Sequence, residues 1–387
     1  MDAATPRTQT RWKLSALSCP ISHNRCQPNL QQTHLRIKCR ARSNVNPGSR
    51  GYLEYYGQLR EAGLPDQDLF DAMVTHDPRW VRRQQFLILR SWVLASAAMK
   101  GSSMTSQIAP LTFDVHLTDE LPVVTDDLPP GQQQVLFPPI SSTLISGERE
   151  AVLADAVMTI DQARGLADWI AASGKHLTTV YITHGHGDHW FGLGTVLERF
   201  PDARAVALPA VVEYMRQAST PQQLASWSAR WPGPIPDTVA LAEPLERRTF
   251  ELEGHELTAV DVGYTDTDHT SVLHVPDIGL VVAGDAAYND VHVHLGESPA
   301  ELREQWPAAL DTIESLSPTA VVAGHKRPGR ADSRQIIEET RQYINAFYSA
   351  AENTQTAVQL YEQMLALYPA RLNPDALWSS ACALKPQ

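Results

Sequence analysis

The sequence predicts an α/β (α+β) protein in which two β-sheets pack together with helices outside, an αββα sandwich, preceded by an N-terminal helical or disordered extension. Three observations predict it. From residue 104 onward, short runs rich in β-branched residues are separated by turns and helical stretches. Each run of strands leads into helices. Side chains able to hold a metal fall at the C-terminal ends of strand runs, so this topology gathers them at one edge.

Taken in order, residues 1–50 are rich in Arg, Ser, Asn and Gln, with nine Lys or Arg against the single acid Asp2. They read as a disordered extension. The same composition is that of a mitochondrial transit peptide, although no Arg-bearing amphipathic helix is evident. Residues 51–103 read as a helical extension of unknown role, with helices over 52–62, 68–73 and 80–99 broken at Gly63, Pro65 and Pro78. The third domain, residues 104–387, begins with expected strands at 113–117, 134–137, 141–146 and 150–155. Thr159 followed by Gln162 is a capping box opening a helix, with Ala163, Leu166, Ala167 and Ile170 as its buried stripe and Gly174 as its stop. A strand over 179–183 and a helix over 190–200 follow, with His189 expected at that helix's N-terminus. Residues 216–237, with Trp227, Trp231 and four prolines, fit either a rigid crossover or a lid over a pocket. Further strands are expected over 251–262, 271–275, 278–284 and 319–323. Two closing helices are expected over 333–348 and 354–367.

Charge and composition exclude several functions. Residues 104–387 carry 17 basic and 37 acidic side chains, a net of −20. So acidic a body repels phosphate backbones, which excludes nucleic acid as the main partner. No apolar run reaches transmembrane length, so no membrane partner is expected. The four cysteines, Cys19, Cys26, Cys39 and Cys382, are too few for a disulfide scaffold and fit no zinc-knuckle spacing. A small-molecule substrate and a cytoplasmic location are the expectation, with a mitochondrial one if the N-terminus is a transit peptide; the sequence does not give the oligomeric state.

The chemistry is concentrated in residues 184–189, His-Gly-His-Gly-Asp-His. Glycine lets the backbone turn sharply, so neighbouring side chains can converge on one point. Three imidazoles and a carboxylate within six residues suit a divalent metal such as zinc, where a loop of unrelated histidines would not be expected at a strand end.

This stretch resembles the HxHxDH signature of the metallo-β-lactamase-fold hydrolases. Ala283-Gly284-Asp285 is similar to that family's bridging aspartate, and Ala323-Gly324-His325 to its final histidine. The resemblance covers about residues 104–387 and points toward the lactonase and glyoxalase II-like branch. It implies that His184 and His186 hold a first metal, that Asp188, His189 and His325 hold a second, and that Asp285 bridges them. The implied cofactor is one or two zinc ions, with manganese or iron as alternatives. Asp188 is the residue expected to orient the attacking water and carry its proton. Tyr288, three residues after Asp285, matches a lactonase tyrosine that polarises the substrate carbonyl; a tyrosine after a strand is otherwise packing.

One departure stands out. The family ordinarily has a Gly-His-Thr whose histidine completes the first metal position, and here that triplet is Gly263-Tyr264-Thr265. Three outcomes are open: Tyr264 ligates, His269 swings in, or the protein works with one tightly held metal. The implied activity is a metal-dependent hydrolase that attacks an ester, lactone or thioester carbonyl with a metal-bound hydroxide. The alternatives are a mononuclear-iron persulfide dioxygenase on the same fold, or a non-catalytic binding protein with a degraded site.

Overall fold

A computed structural model describes residues 109–231, 235–297 and 304–386. The expectations for residues 1–50 and 51–103 lie outside the described residues.

The first sheet has six strands in the order β1, β4, β5, β6, β7, β8. They are Thr112–Leu117, Ser141–Ser146, Glu150–Ala154, His176–Tyr181, Arg204–Ala207 and Glu243–Pro244. The pairs β1–β4 and β4–β5 are antiparallel, and from β5 to β8 the pairs are parallel. Leu121–Val123 (β2) and Val135–Phe137 (β3) form a separate ribbon. The second sheet has the order β13, β12, β11, β10, β9. In chain order these are Thr249–Leu252 (β9), His255–Gly263 (β10), Thr270–Val275 (β11), Leu280–Asn289 (β12) and Ala320–Lys326 (β13). This is the αββα arrangement that the sequence predicts.

The first helix, Ile160–Ala172 (α1), carries the expected capping box: the Gln162 N–H donates to Thr159 Oγ1 and the Thr159 N–H to Gln162 Oε1. Its buried residues are Ala163, Leu166, Ala167 and Ile170, the stripe read from the 3.6-residue period. Leu193–Arg199 (α2), Pro209–Ala218 (α3) and Pro221–Arg230 (α4) complete the first half. Gln305–Ser315 (α5) and Gln335–Glu352 (α6) pack on β12, and α6 also meets Ala357–Leu367 (α7). Among the described residues, no helix is long and apolar enough to cross a membrane.

Among the differences from the sequence reading, four have a clear local reason. The strand expected over 251–262 is a hairpin, because Glu253 and Gly254 adopt φ of 49° and 88° and reverse the chain. That turn also fastens the sheets: the Glu253 carboxylate accepts from the backbone N–H groups of Glu148, Arg149 and Glu150 at 2.6–3.0 Å. The helix expected from 190 starts at Leu193, and His189 lies instead in a 3-10 turn, Gly187–His189. Strands β12 and β13 run on through Asp285 and His325, with register breaks between Val282 and Gly284 and between Gly284 and Tyr288. Those bulges re-aim side chains while the strands continue. A third C-terminal helix, Pro374–Leu384 (α8), follows α7, with Asn373 as its N-cap and Pro374 in its first turn.

Candidate metal centre

The six predicted ligands come from three places and meet at one edge of the sandwich. Strand β6 delivers the loop that holds His184 and His186, and the Trp190 indole pins that loop by donating to the Gly185 carbonyl at 2.9 Å. The 3-10 turn carries Asp188 and His189. Asp285 and His325 come from the neighbouring parallel strands β12 and β13. Two contacts hold the sheets in register here: Ser271 donates its N–H and its hydroxyl to the Thr183 carbonyl, and Ile140 bridges to His325.

One group gathers His184, His186, Asp266 and Asp285, and a second gathers Asp188, His189 and His325. Within each group the ligand atoms lie within 4.8 Å of one another. In the second group, His325 Nε2 is 3.1 Å and His189 Nε2 is 3.3 Å from Asp188 Oδ2. Asp285 stands between the groups, with Oδ1 at 3.3 Å from His189 Nε2 and Oδ2 at 3.4 Å from His325 Nε2. Gly324 permits this approach. A side chain there would collide with Asp285 Oδ1 and the His189 ring.

Asp266 is the member that sequence reasoning missed. The two residues considered for the first group lie elsewhere. The Tyr264 hydroxyl donates to the Glu297 carbonyl, and burial with nearby acids raises its pKa to about 12, which disfavours a phenolate. His269 has a half-exposed side chain 3.4 Å from Asp268. Asp266 is fully buried, with Oδ2 at 2.9 Å from His186 Nδ1 and 4.0 Å from His184 Nε2. The signal for it was present in the sequence as an acid two residues after Tyr264, but an Asp in a Thr-Asp-Thr-Asp run reads as an ordinary turn.

A second layer of residues aims the imidazoles. Asp155 is buried and accepts from the Thr183 N–H and hydroxyl, and its Oδ2 lies 3.0 Å from His189 Nδ1. That contact turns His189 Nε2 toward the site. His325 Nδ1 faces the Pro139 carbonyl at 3.0 Å, and His184 Nδ1 faces the Thr183 hydroxyl at 3.0 Å. Asp155 itself sits at φ 63°, and Val157 two residues on at φ 54°. Left-handed backbone at a β-branched residue is costly and persists where the surroundings impose it. Replacing Asp155 with alanine is expected to weaken metal binding by about 10–100-fold, the usual cost of losing such a support. Competition against a chromogenic chelator measures it, and unchanged affinity would remove Asp155 from the site.

The donor set fits a metal on an observation of its own. His184 Nε2, His189 Nε2, Asp266 Oδ2 and Asp285 Oδ1 are buried and make no hydrogen bond. Buried polar atoms left unpaired are expensive, and a cation is the partner they share. The electrostatics agree. Burial opposes charge on His186, but the Asp266 carboxylate prevails and raises its pKa well above 6.5. Burial likewise opposes charge on His189 and His325, and the surrounding carboxylates prevail, raising His325 to about 10. Burial pushes Asp188 and Asp285 up, but the imidazoles hold both well below the usual carboxylate range. Without a metal, protons take its place.

Above the centre lies a cavity of about 280 Å³. His186, Asp188, Asp266, Asp285 and His325 line its floor, and Phe137, Trp227 and Trp231 form an aromatic wall. The two tryptophans stack at 5.1 Å, and Phe137 meets Trp231 edge-on at 5.1 Å. Trp227 in α4 and Trp231, which caps that helix, therefore supply a wall of the pocket. Opposite, α8 contributes Asp375, Ala376 and Ser379, and Arg230 of α4 donates to Asp375 at 2.9 Å. His294 also lines the cavity, whereas His292 is buried against the Tyr343 hydroxyl. The Tyr288 hydroxyl reaches the cavity floor and donates to Asp285 Oδ2 at 2.9 Å.

A curated relative, the uncharacterized protein YobT of Bacillus subtilis, is 32% identical over 77 residues, which is 19% of this chain. The match spans about a third of that relative's length (33%). Among solved structures, a metallo-beta-lactamase family protein from Thermus thermophilus is similar at 22% identity with a TM-score of 0.47, over 70% of this chain and 91% of that one. The metallo-beta-lactamase FIM-1 from Pseudomonas aeruginosa, in its mono-zinc form, is similar at 16% identity with a TM-score of 0.43, over 63% and 93%. The family model described as the metallo-beta-lactamase superfamily matches residues 136–325. The matched region, residues 136–325, is thus the part of the chain that carries the metallo-beta-lactamase superfamily signature, and every candidate ligand lies inside it.

Proposed function

We propose that the protein is a metal-dependent hydrolase that cleaves an ester, lactone or thioester bond of a small molecule. The observation that carries this reading is the pair of buried His/Asp groups sharing Asp285 at the floor of a half-aromatic cavity. His184, His186, Asp266 and Asp285 would hold one ion, and Asp188, His189, His325 and Asp285 the other, with zinc, manganese or iron all compatible with nitrogen and oxygen donors. Such ions make water nucleophilic at neutral pH and polarise a carbonyl.

The chain's own residues supply the rest. Asp188, at the cavity floor between His189 and His325, is positioned to orient a water and accept its proton. Tyr288 has a hydroxyl proton to offer a developing oxyanion when it turns from Asp285. The Phe137, Trp227 and Trp231 wall suits an apolar acyl or ring portion and excludes water from it.

The test is a screen of the full chain against a lactone, a thioester and an aryl ester, before and after metal removal. Hydrolysis of one of them, lost on chelation and restored by zinc or manganese, is the expected result. No hydrolysis of any class would overturn the proposal. The second group, His189 and His325 with Asp188, also matches the two-histidine-one-carboxylate pattern of mononuclear iron oxygenases. One iron per chain, with oxygen uptake in the presence of a persulfide, would select that reading instead.

A further inference from the structure

We propose that Asp266 is a direct metal ligand, standing in for the histidine that Tyr264 displaces, and that the first metal position is thereby oxygen-rich and less selective for zinc over manganese than a three-histidine position would be. The inference rests on the two-group metal reading given above and adds to it how Asp266 is presented and what it does to metal selectivity at the first position.

The local chain is built to present this carboxylate. Strand β10 ends in a bulge between Asp261 and Gly263, and Gly263 leaves it at φ 80°. The following loop is held by buried threonines: the Thr265 hydroxyl contacts Thr270 Oγ1 at 2.7 Å and Asp266 Oδ1 at 2.9 Å. Thr267 contacts the Tyr214 hydroxyl at 3.1 Å and Glu297 Oε2 at 3.2 Å. Thr265, Thr267 and Thr270 are all essentially without exposure. This lattice turns Asp266 inward, while Tyr264 is drawn off to the Glu297 carbonyl.

The two oxygens of Asp266 have separate duties. Oδ1 is held by the Thr265 hydroxyl, whereas Oδ2 is buried, makes no hydrogen bond and points at the two imidazoles. A carboxylate with one oxygen fixed and the other bare is the arrangement of an oriented ligand. His186 is set for the same centre. Its Nε2 lies 3.5 Å from Glu297 Oε2, an ion-pair approach that falls short of a hydrogen bond, and this leaves Nδ1 facing Asp266.

The consequence is a change of donor set. With a histidine the first position would have three nitrogens and the bridging carboxylate. With Asp266 it has two nitrogens and two carboxylates, matching the second position: His189, His325, Asp188 and the shared Asp285. Carboxylate donors favour harder cations such as manganese, and imidazole favours zinc.

The experiment counts metal and leaves activity aside. Full-length wild type, Asp266→Ala, Asp266→Asn and Asp266→His would be stripped with chelator and titrated with zinc chloride, manganese chloride and cobalt chloride. Bound metal is read by elemental analysis and by the visible absorption of the cobalt forms. Wild type should take up about two ions per chain, and Asp266→Ala about one, with affinity at the lost position reduced by more than the roughly 100-fold that a merely supporting residue costs. Asp266→His should regain the second ion, with zinc-over-manganese preference raised about tenfold or more. The near-isosteric Asp266→Asn should keep the wild-type circular dichroism and show weakened uptake at the first position only. Two ions retained by Asp266→Ala, or no shift in preference in Asp266→His, would overturn the ligand assignment and leave the hydrolase proposal standing. A wild type that binds no ion would overturn both.

Discussion

Replacing Asp188 with alanine is expected to lower kcat/KM by about 10³-fold or more, because in the proposed function one side chain serves as both ligand and proton acceptor. Asp188 Oδ2 lies between His325 Nε2 at 3.1 Å and His189 Nε2 at 3.3 Å, and the side chain lines the cavity floor. No other carboxylate beside His189 takes that place: Asp285 is engaged by Tyr288, and Asp155 is occupied behind the ring. The fold does not depend on Asp188, since the 3-10 turn is fixed by backbone bonds from His189 to His186 and from Trp190 to Gly187. The circular dichroism spectrum should therefore match wild type while turnover disappears. A variant with ordinary turnover on the substrate found in the screen would end the proposed role.

The second large effect concerns the stability of the metal-free protein. The pKa values of His186, His189 and His325 are raised in the folded chain, His325 to about 10, so folding binds protons that the unfolded chain releases near pH 6.5. That stabilisation is fully present below pH 6.5 and is lost as pH rises toward 10. The lowered Asp188 and Asp285 contribute with the opposite sign: their stabilisation is present above the ordinary carboxyl value of 3.8 and is lost as pH falls below it. His184, lowered chiefly by burial, also withdraws stability as pH falls through 6.5, against the three other imidazoles. Chelator-stripped protein should accordingly melt at progressively lower temperature from pH 6.5 to 10. Metal-loaded protein should stay nearly flat over that range, since the ions replace the protons. Thermal melts at fixed ionic strength measure both. A stripped protein whose melting temperature rises across this range would show that the imidazoles are not the buried cations described above.

Much of the fold was legible because local rules and tertiary packing agree. The α1 capping box and its four-residue stripe came from spacing alone, and the strands at 141–146 and 150–154 read as a pair across the Gly147-Glu148 turn and lie buried between neighbouring strands. The HxHxDH stretch was legible for a different reason, since clustered ligand types have few other uses. What was hidden depended on backbone geometry. Glu253 at φ 49° turns what reads as one long strand into a hairpin, and the bulges of β12 carry it past Asp285 where a strand end was expected. Asp266 was hidden because its role follows from three threonine hydroxyls and a displaced tyrosine, none of which has a sequence signature. Helix α8 escaped because its mixed composition gives a weak period, although Asn373-Pro374 marks its start.

The Arg230–Asp375 contact joins two helices 145 residues apart in the chain, and both stand at the mouth of the cavity while the metal-facing residues come from the sheet edge beneath. Under the proposed function, reactivity and selectivity would therefore be carried by separable parts of the polypeptide. Substitutions on the facing sides of α4 and α8 can reshape what enters without touching a residue that handles metal or proton. The same floor could in this way be inherited unchanged by descendants that accept different substrates, and a library confined to the cavity faces of those two helices is where a new specificity would be sought.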